Sequence, residues 1–170
     1  MNSLSKHIGQ LAPEHAAFWA KRFCPTGTFV EFKKEEVEQS VADRFEIQVA
    51  KYADWVAVKT RDQVFTYDAL NETANRVARA ILAQCGDGHE CVALLFEQGA
   101  AVIAAMLGAL KAGKIDVMLD PSNPFARMAY MLEDSQAGLI VTNNQNLSLA
   151  RELAQARLQL LNIDELDIGL

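Results

Sequence analysis

The sequence predicts an α/β fold: a mostly parallel sheet covered by helices, with strand and helix alternating βαβαβαβ behind a short helical lead-in. From residue 54 onward, apolar runs of strand length alternate with segments whose apolar residues recur at helical spacing. The strand-length runs, such as Cys91-Val92-Ala93-Leu94-Leu95-Phe96 and Leu139-Ile140-Val141, are apolar at successive positions. That is the pattern of strands buried on both faces of a parallel sheet. Turn-forming residues separate the runs: Gly86-Asp87-Gly88, Gly113, and Asp120-Pro121-Ser122-Asn123-Pro124.

Along the chain, Ala12, Ala16, Trp19 and Phe23 fall at i, i+4, i+7 and i+11 and predict a short amphipathic helix starting near Pro13. Pro25-Thr26-Gly27 breaks it, and the charged stretch Lys33-Lys34-Glu35-Glu36 follows, so residues 1–36 read as a lead-in and residues 37–170 as the body. Val37, Val41, Phe45 and Val49 share one helical face. Trp55-Val56-Ala57-Val58 and Val64-Phe65-Thr66 flank the polar Arg61-Asp62 and predict a hairpin. Thr66 is placed to cap a helix over residues 67–84, in which Leu70, Ala74, Val77, Ala78, Ile81 and Leu82 form the apolar stripe.

A strand over residues 91–96 leads into a nearly all-apolar helix over residues 99–112, and Val117-Met118-Leu119 is the next strand. Asn123 is expected as N-cap of a third helix with Pro124 at its first position; Phe125, Met128, Ala129 and Leu132 are its apolar face, and Gly138 closes it. A strand at residues 139–141, a helix over residues 147–156 and a strand at residues 158–161 complete the alternation.

Composition narrows the function. Sixteen Lys+Arg against 22 Asp+Glu leave a net charge of −6, without the basic excess that a phosphate-driven nucleic-acid binder needs. The longest apolar run, residues 99–110, is about 12 residues, short of the ~20 that span a bilayer. No positively charged start followed by an apolar segment marks the N-terminus for secretion, so the cytoplasm is the default compartment. Cys24, Cys85 and Cys91 form no CxxC pair, and with His7, His15 and His89 they give no metal-ligand spacing; ordinary reduced thiols are expected.

Several motifs fall short of chemistry. Gly108 to Lys114 spells GxxxxGK, but Ile115 stands where a magnesium-binding hydroxyl belongs, and the segment ends a helix instead of opening one. Gly113 reads instead as a left-handed helix cap, with Lys111 and Lys114 near the negative helix end. The near-GxGxxG at residues 86–91 precedes a strand where the dinucleotide fingerprint follows one. His89 and Glu90 are neighbours on an extended segment and read as a solvated loop. Ser122 and Ser135 have no histidine partner in the pattern, and Glu133 and Asp134 cannot share a helix face. Asp116, a carboxylate within an apolar strand, is the anomaly; it either has a special role or sits at the strand's exposed beginning.

The stretch Phe65-Thr66-Tyr67-Asp68-Ala69-Leu70-Asn71, with Ala74-Asn75-Arg76-Val77-Ala78, resembles the first core motif of adenylation domains in nonribosomal peptide synthetases. Leu110-Lys111-Ala112-Gly113, then Leu119-Asp120-Pro121-Ser122-Asn123-Pro124, then Arg127-Met128-Ala129-Tyr130-Met131-Leu132-Glu133-Asp134-Ser135, resembles the second. The resemblance covers residues 37–143 and implies the N-terminal subdomain of an adenylate-forming enzyme, about the first third of such a domain. It implies an AMP-forming ligase: a carboxylic acid, usually an amino acid, attacks the ATP α-phosphate to give an acyl-adenylate and pyrophosphate. The acyl group then passes to the phosphopantetheine thiol of a carrier protein.

For the complete enzyme the resemblance implies ATP and magnesium as cofactors. The remainder of the adenylation domain, a carrier domain and the carboxylic acid would be partners, with neither nucleic acid nor membrane. The phosphate loop, the nucleotide- and acyl-binding motifs and a mobile C-terminal lysine all lie beyond the matched region. No residue here is therefore assigned a catalytic, cofactor-binding or metal-binding role, and the piece alone is expected to be inactive. Asp116 and Met118 stand where the second motif usually has Tyr and Pro. Two other readings remain open: a superfamily relative that activates a fatty, aryl or keto acid, and a non-catalytic interaction module.

Overall fold

The computed structural model describes residues 34–61 and 63–166. It divides into two compact units, Met1–Gln39 and Ser40–Leu170. The helix expected from Ala12, Ala16, Trp19 and Phe23 lies outside the described residues, as do Cys24, His7 and His15. In the first unit a 3-10 turn spans Lys34–Glu38.

The second unit opens with α1, Val41–Tyr52, so the helical periodicity begins after Val37. Ser40 is its N-cap: its Oγ accepts from the Asp43 backbone N–H at 3.0 Å and donates to the Asp43 carboxylate at 2.7 Å. Strands β1 (Val56–Lys59) and β2 (Val64–Thr66) form the expected antiparallel hairpin. Thr66 Oγ1 accepts from Ala69 N–H at 3.1 Å and starts α2, Tyr67–Cys85, as the sequence indicates. Gly86, at φ +68, ends it.

Four parallel strands form the main sheet in the order β4-β3-β5-β6, where β3 is Cys91–Leu95, β4 Ile115–Leu119, β5 Leu139–Thr142 and β6 Gln159–Asn162. The chain steps from β3 outward to β4, then crosses back to place β5 on the other side of β3. The connecting helices are α3 (Ala100–Lys111), α4 (Phe125–Ser135) and α5 (Leu147–Ala154).

Alternation along each strand sorts the core into two layers. Val92, Leu94, Leu139 and Val141 face α2 and α3, where they meet Val77, Ile81, Ala105 and Ala109. Ala93, Leu95 and Ile140 face α4 and α5, against Met128, Leu132, Ala150 and Leu153. A third cluster, Leu70, Ala74, Ala104 and Leu107, joins the two-helix layer to Phe45 of α1 and to Val58 and Phe65 of the hairpin.

Helix ends are where sequence and structure part. Pro124, not Asn123, is the N-cap of α4: at ψ 139 it is extended, and the helix begins at Phe125. The Pro124 carbonyl accepts from the Arg127 and Met128 N–H groups, while Asp120 Oδ1 takes the Ser122 N–H at 2.8 Å and closes the turn upstream. Gln136, at φ 54, caps the end of α4 in place of Gly138. Helix α5 stops at Ala154, because Gln155 and Ala156 at φ 46 and 57 reverse the chain into β6. Neither reversal uses a glycine, so composition carries no sign of them.

Candidate functional site

The carboxyl ends of β3 and β4 open into a crevice of about 360 Å3 lined by Glu97, Gln98, Asp120, Asn123 and Arg127 above Phe96 and Met118. In open α/β sheets ligands bind outside the carboxyl ends of the strands where the order reverses; here the reversal falls between β3 and β5, beside this crevice. Thr142 Oγ1 donates to the Leu95 carbonyl at 3.1 Å and ties the end of β5 to that of β3. Asn146, 4% exposed, donates to Glu97 Oε2 at 2.8 Å and Asn143 Oδ1 at 2.9 Å, which fixes the loop after β3 against the loop after β5. The Ser122 backbone and hydroxyl hold the Asp120 carboxyl below its ordinary value. The crevice therefore has a rigid polar rim and an acidic side.

The GxxxxGK segment lies at the opposite, amino end of the strands and is fully committed to structure. Gly108 packs α3 onto α2: a Cβ there would stand 2.7 Å from Val77 Cβ and 2.9 Å from the Ala74 carbonyl oxygen. Gly113, at φ +70, donates to Leu110 O at 3.1 Å, and Lys114 N–H reaches back to Ala109 O at 2.9 Å, a Schellman cap. Lys114 is 3% exposed. Its ammonium donates to Gly86 O at 2.7 Å, Gly88 O at 2.5 Å and Glu90 Oε2 at 2.6 Å, which uses all three protons. A phosphate would have to break that set.

His89 and Glu90 lie in an exposed loop, as the sequence indicates, and the same contacts give that loop a structural role. His89 Nδ1 lies 2.9 Å from Gly113 O, and Glu90 pairs with Lys114, so both hold the turn between α3 and β4. Pairing with Lys114 lowers the Glu90 carboxyl from its ordinary value. Burial raises the Cys85 thiol above its ordinary value, which favours its protonated form.

Lys111 is a second clasp. Its ammonium donates to Glu46, to Asn71 Oδ1 at 2.7 Å and to Asn75 Oδ1 at 2.8 Å, and stands 5.9 Å from the Phe45 ring centroid. It thus joins α1, α2 and α3. Asp116 is the second residue of β4, after the exposed Ile115; it is paired in register with Val92 and is half-buried. Its Oδ1 is buried with no hydrogen-bond partner among the described residues, and burial pushes the carboxyl up to about 6.

Ser122 and Ser135 serve turn and helix-end bonds, to Asp120 and to Leu132 O. Among the described residues no three His, Cys, Asp or Glu side chains are grouped to hold a metal ion. The polar network of Glu97, Asn143 and Asn146 escaped sequence reasoning; its only signal is the asparagine-rich stretch directly after β5.

This helix-covered sheet is the architecture of adenylate-forming enzymes. The nonribosomal peptide synthetase FmoA3, in its α-methyl-L-serine-AMP bound form, superposes with a TM-score of 0.70 at 26% identity, over 77% of this chain and 15% of that one. The anthranilate CoA ligase AuaEII in complex with anthranoyl-AMP gives 0.64 at 25% identity, over 72% and 24%. A linear gramicidin synthase polypeptide of Brevibacillus parabrevis is 40% identical over 124 residues, 73% of this chain. Tyrocidine synthase 3 of the same organism is 36% identical over 135 residues, 79% of this chain. The chain belongs to the AMP-binding enzyme family, which matches residues 45–167. It spans 2% of the length of each of those two curated relatives.

Proposed function

We propose that this chain is the first part of an adenylation domain in a nonribosomal peptide synthetase. The complete domain would join an amino acid to ATP, with attack of the carboxylate on the α-phosphate, release of pyrophosphate and formation of an aminoacyl-adenylate. Transfer to the phosphopantetheine thiol of a carrier domain would follow. The observation that carries the reading is the 40% identity to a linear gramicidin synthase over 124 residues.

In this reading residues 34–166 are scaffold. Charge neutralisation at phosphorus needs cations, magnesium among them, and donors aimed at the transferring group. Lys114 does not fit that need, because its three protons are engaged. The triphosphate, magnesium and acyl side chain are held by the rest of the domain, and no step is routed through residues of this chain. Their contribution is a stiff layer, with the crevice at the strands' carboxyl ends facing the remainder. Residues 1–36 act as a lead-in, and the enzyme works in the cytoplasm; among the described residues no helix is long and apolar enough to cross a membrane.

The test is the complete domain, read from the gene beyond the Leu170 codon. Amino-acid-dependent exchange of labelled pyrophosphate into ATP is expected, with one or a few amino acids preferred. Exchange driven only by fatty, aryl or keto acids would move the chain to another branch of the superfamily. A reading frame that ends at Leu170 would overturn adenylation by this protein.

A further inference from the structure

Residues 87–90, between α2 and β3, are exposed along their length and carry no apolar side chain, so burial of apolar surface does not hold them in place. The loop nevertheless turns two carbonyls and a carboxylate onto one point. Gly86 O, Gly88 O and Glu90 Oε2 lie 2.7, 2.5 and 2.6 Å from Lys114 Nζ. Lys114 comes from the turn after α3, 24 to 28 positions further along the chain, and its side chain has no exposed surface.

The chemistry of that point is selective. A primary ammonium has three N–H donors and no acceptor, and three converging oxygens meet all of its donors. The same three oxygens fall short of the roughly six to eight that a hard cation such as calcium takes. A guanidinium is planar, with its donors in a fixed fork, and does not converge three N–H groups on one point. Gly88 makes room for the carboxylate: a Cβ there would stand 2.7 Å from Glu90 Cδ and closer still to Oε1, so a side chain at this position would push Glu90 off the loop.

We propose that the loop of residues 86–90 is a receptor for a primary alkylammonium, that the chain fills it with its own Lys114, and that the bound ammonium, more than the packing of the lysine stem, orders the loop. The site lies at the amino ends of β3 and β4, away from the crevice, and the proposal does not depend on the adenylation reading. Lys114→Ala leaves a channel about three carbons long that ends at the three oxygens. A short alkylammonium added in solution, propylammonium, is the probe that takes the place of the lost side chain.

Amide hydrogen exchange of the complete domain, as wild type and as Lys114→Ala, tests the receptor. Two amides report on the ends of the loop: Gly86 N–H, which donates to Leu82 O at 2.8 Å, and Ile115 N–H, which donates to Glu90 O at 3.2 Å. Both are expected to exchange at least about 10-fold faster in the variant, while Leu94 and Val141 in the sheet hold their rates. Propylammonium at about 50 mM is expected to restore most of the protection. Tetramethylammonium, a cation without N–H, and 1-propanol, a neutral molecule with one O–H, are expected to leave it lost at the same concentration. Rescue by all three probes alike, or by none of them, would overturn the proposal. Lys114→Met keeps a stem of similar length without the charge, and so stays testable where the alanine variant does not fold. Wild-type rates at Gly86 and Ile115 in Lys114→Met would show that packing orders the loop and would overturn the receptor. Lys114→Arg is expected to lose the protection although it keeps the charge; full protection there would overturn the preference for a primary ammonium. Gly88→Ala, with Lys114 in place, is expected to speed the same two amides by a smaller factor, because the carboxylate is displaced and two carbonyls remain. Unchanged rates in Gly88→Ala would remove Glu90 from the site and count against the proposal.

Discussion

Lys114 Nζ lies 2.6 Å from Glu90 Oε2, and the same ammonium reaches the carbonyls of Gly86 and Gly88. One side chain thereby closes the loop between α2 and β3 onto the turn between α3 and β4. Lys114→Met would leave two backbone acceptors beneath an apolar chain, at a cost of about 2–3 kcal/mol. A urea titration that shows less than half of that would mean the loop carbonyls find water.

Glu90 adds a pH dependence to the clasp. Its folded carboxyl is held below the ordinary value of 4.5, so its stabilising contribution is present above that pH and is lost as pH falls through the lowered folded value. The stability gap between wild type and Glu90→Gln is expected to be full at neutral pH and to close below 4.5. Melting curves in acetate and phosphate buffers read it; a gap independent of pH would mean that the charge plays no part.

Asp116 has the opposite sign. Its folded carboxyl is raised from 3.8 to about 6, so the folded state favours the protonated acid. The resulting stability is present below 3.8 and is lost as pH rises through about 6. Discounted for its partial exposure, the cost of ionisation is about 1 kcal/mol at neutral pH. Asp116→Asn is therefore expected to raise the melting temperature of the 170-residue chain at pH 7 and to have little effect at pH 4. A destabilised Asn variant at pH 7 would show that the carboxylate has a partner in solution.

Gly108→Ala places a methyl 2.7 Å from Val77 Cβ, between two packed helices. The expected loss is about 1–3 kcal/mol. Adding Val77→Ala should recover part of it, because the two sites share one contact. Gly138, in the loop before β5, where a Cβ meets nothing within 4 Å, is the control: Gly138→Ala should be near neutral in the same denaturation assay.

Lys111 supports α1 through Glu46, Asn71 and Asn75. Of α1 only Val49 is buried, so the helix depends on few apolar contacts. Lys111→Met is expected to speed amide exchange across Val41–Tyr52 while the amides of β3 and β5 hold their rates. Uniform acceleration throughout the sheet would instead mean that α1 unfolds with the whole unit.

The sequence by itself determined the strand–helix alternation, the hairpin, the Thr66 cap and the family. Each rests on local chemistry: apolar period, a hydroxyl at the first turn, and turn residues between runs. It also indicated that the GxxxxGK of residues 108–114 ends a helix, since a phosphate cradle needs the reverse order of strand and helix. Only the tertiary structure decided the strand order β4-β3-β5-β6, because periodicity says which faces are buried and not which strand lies beside which. The same limit hid the two lysine clasps, whose partners lie 24 to 65 positions away in the chain. It also hid the left-handed Gln136, Gln155 and Ala156, which packing imposes on residues with no preference for that conformation. Asp116 stood out in the sequence as a misplaced charge. That it lies on the end strand of the sheet, with an oxygen that has no partner among the described residues, was decided by the strand order, which places β5 and β6 on the other side of β3.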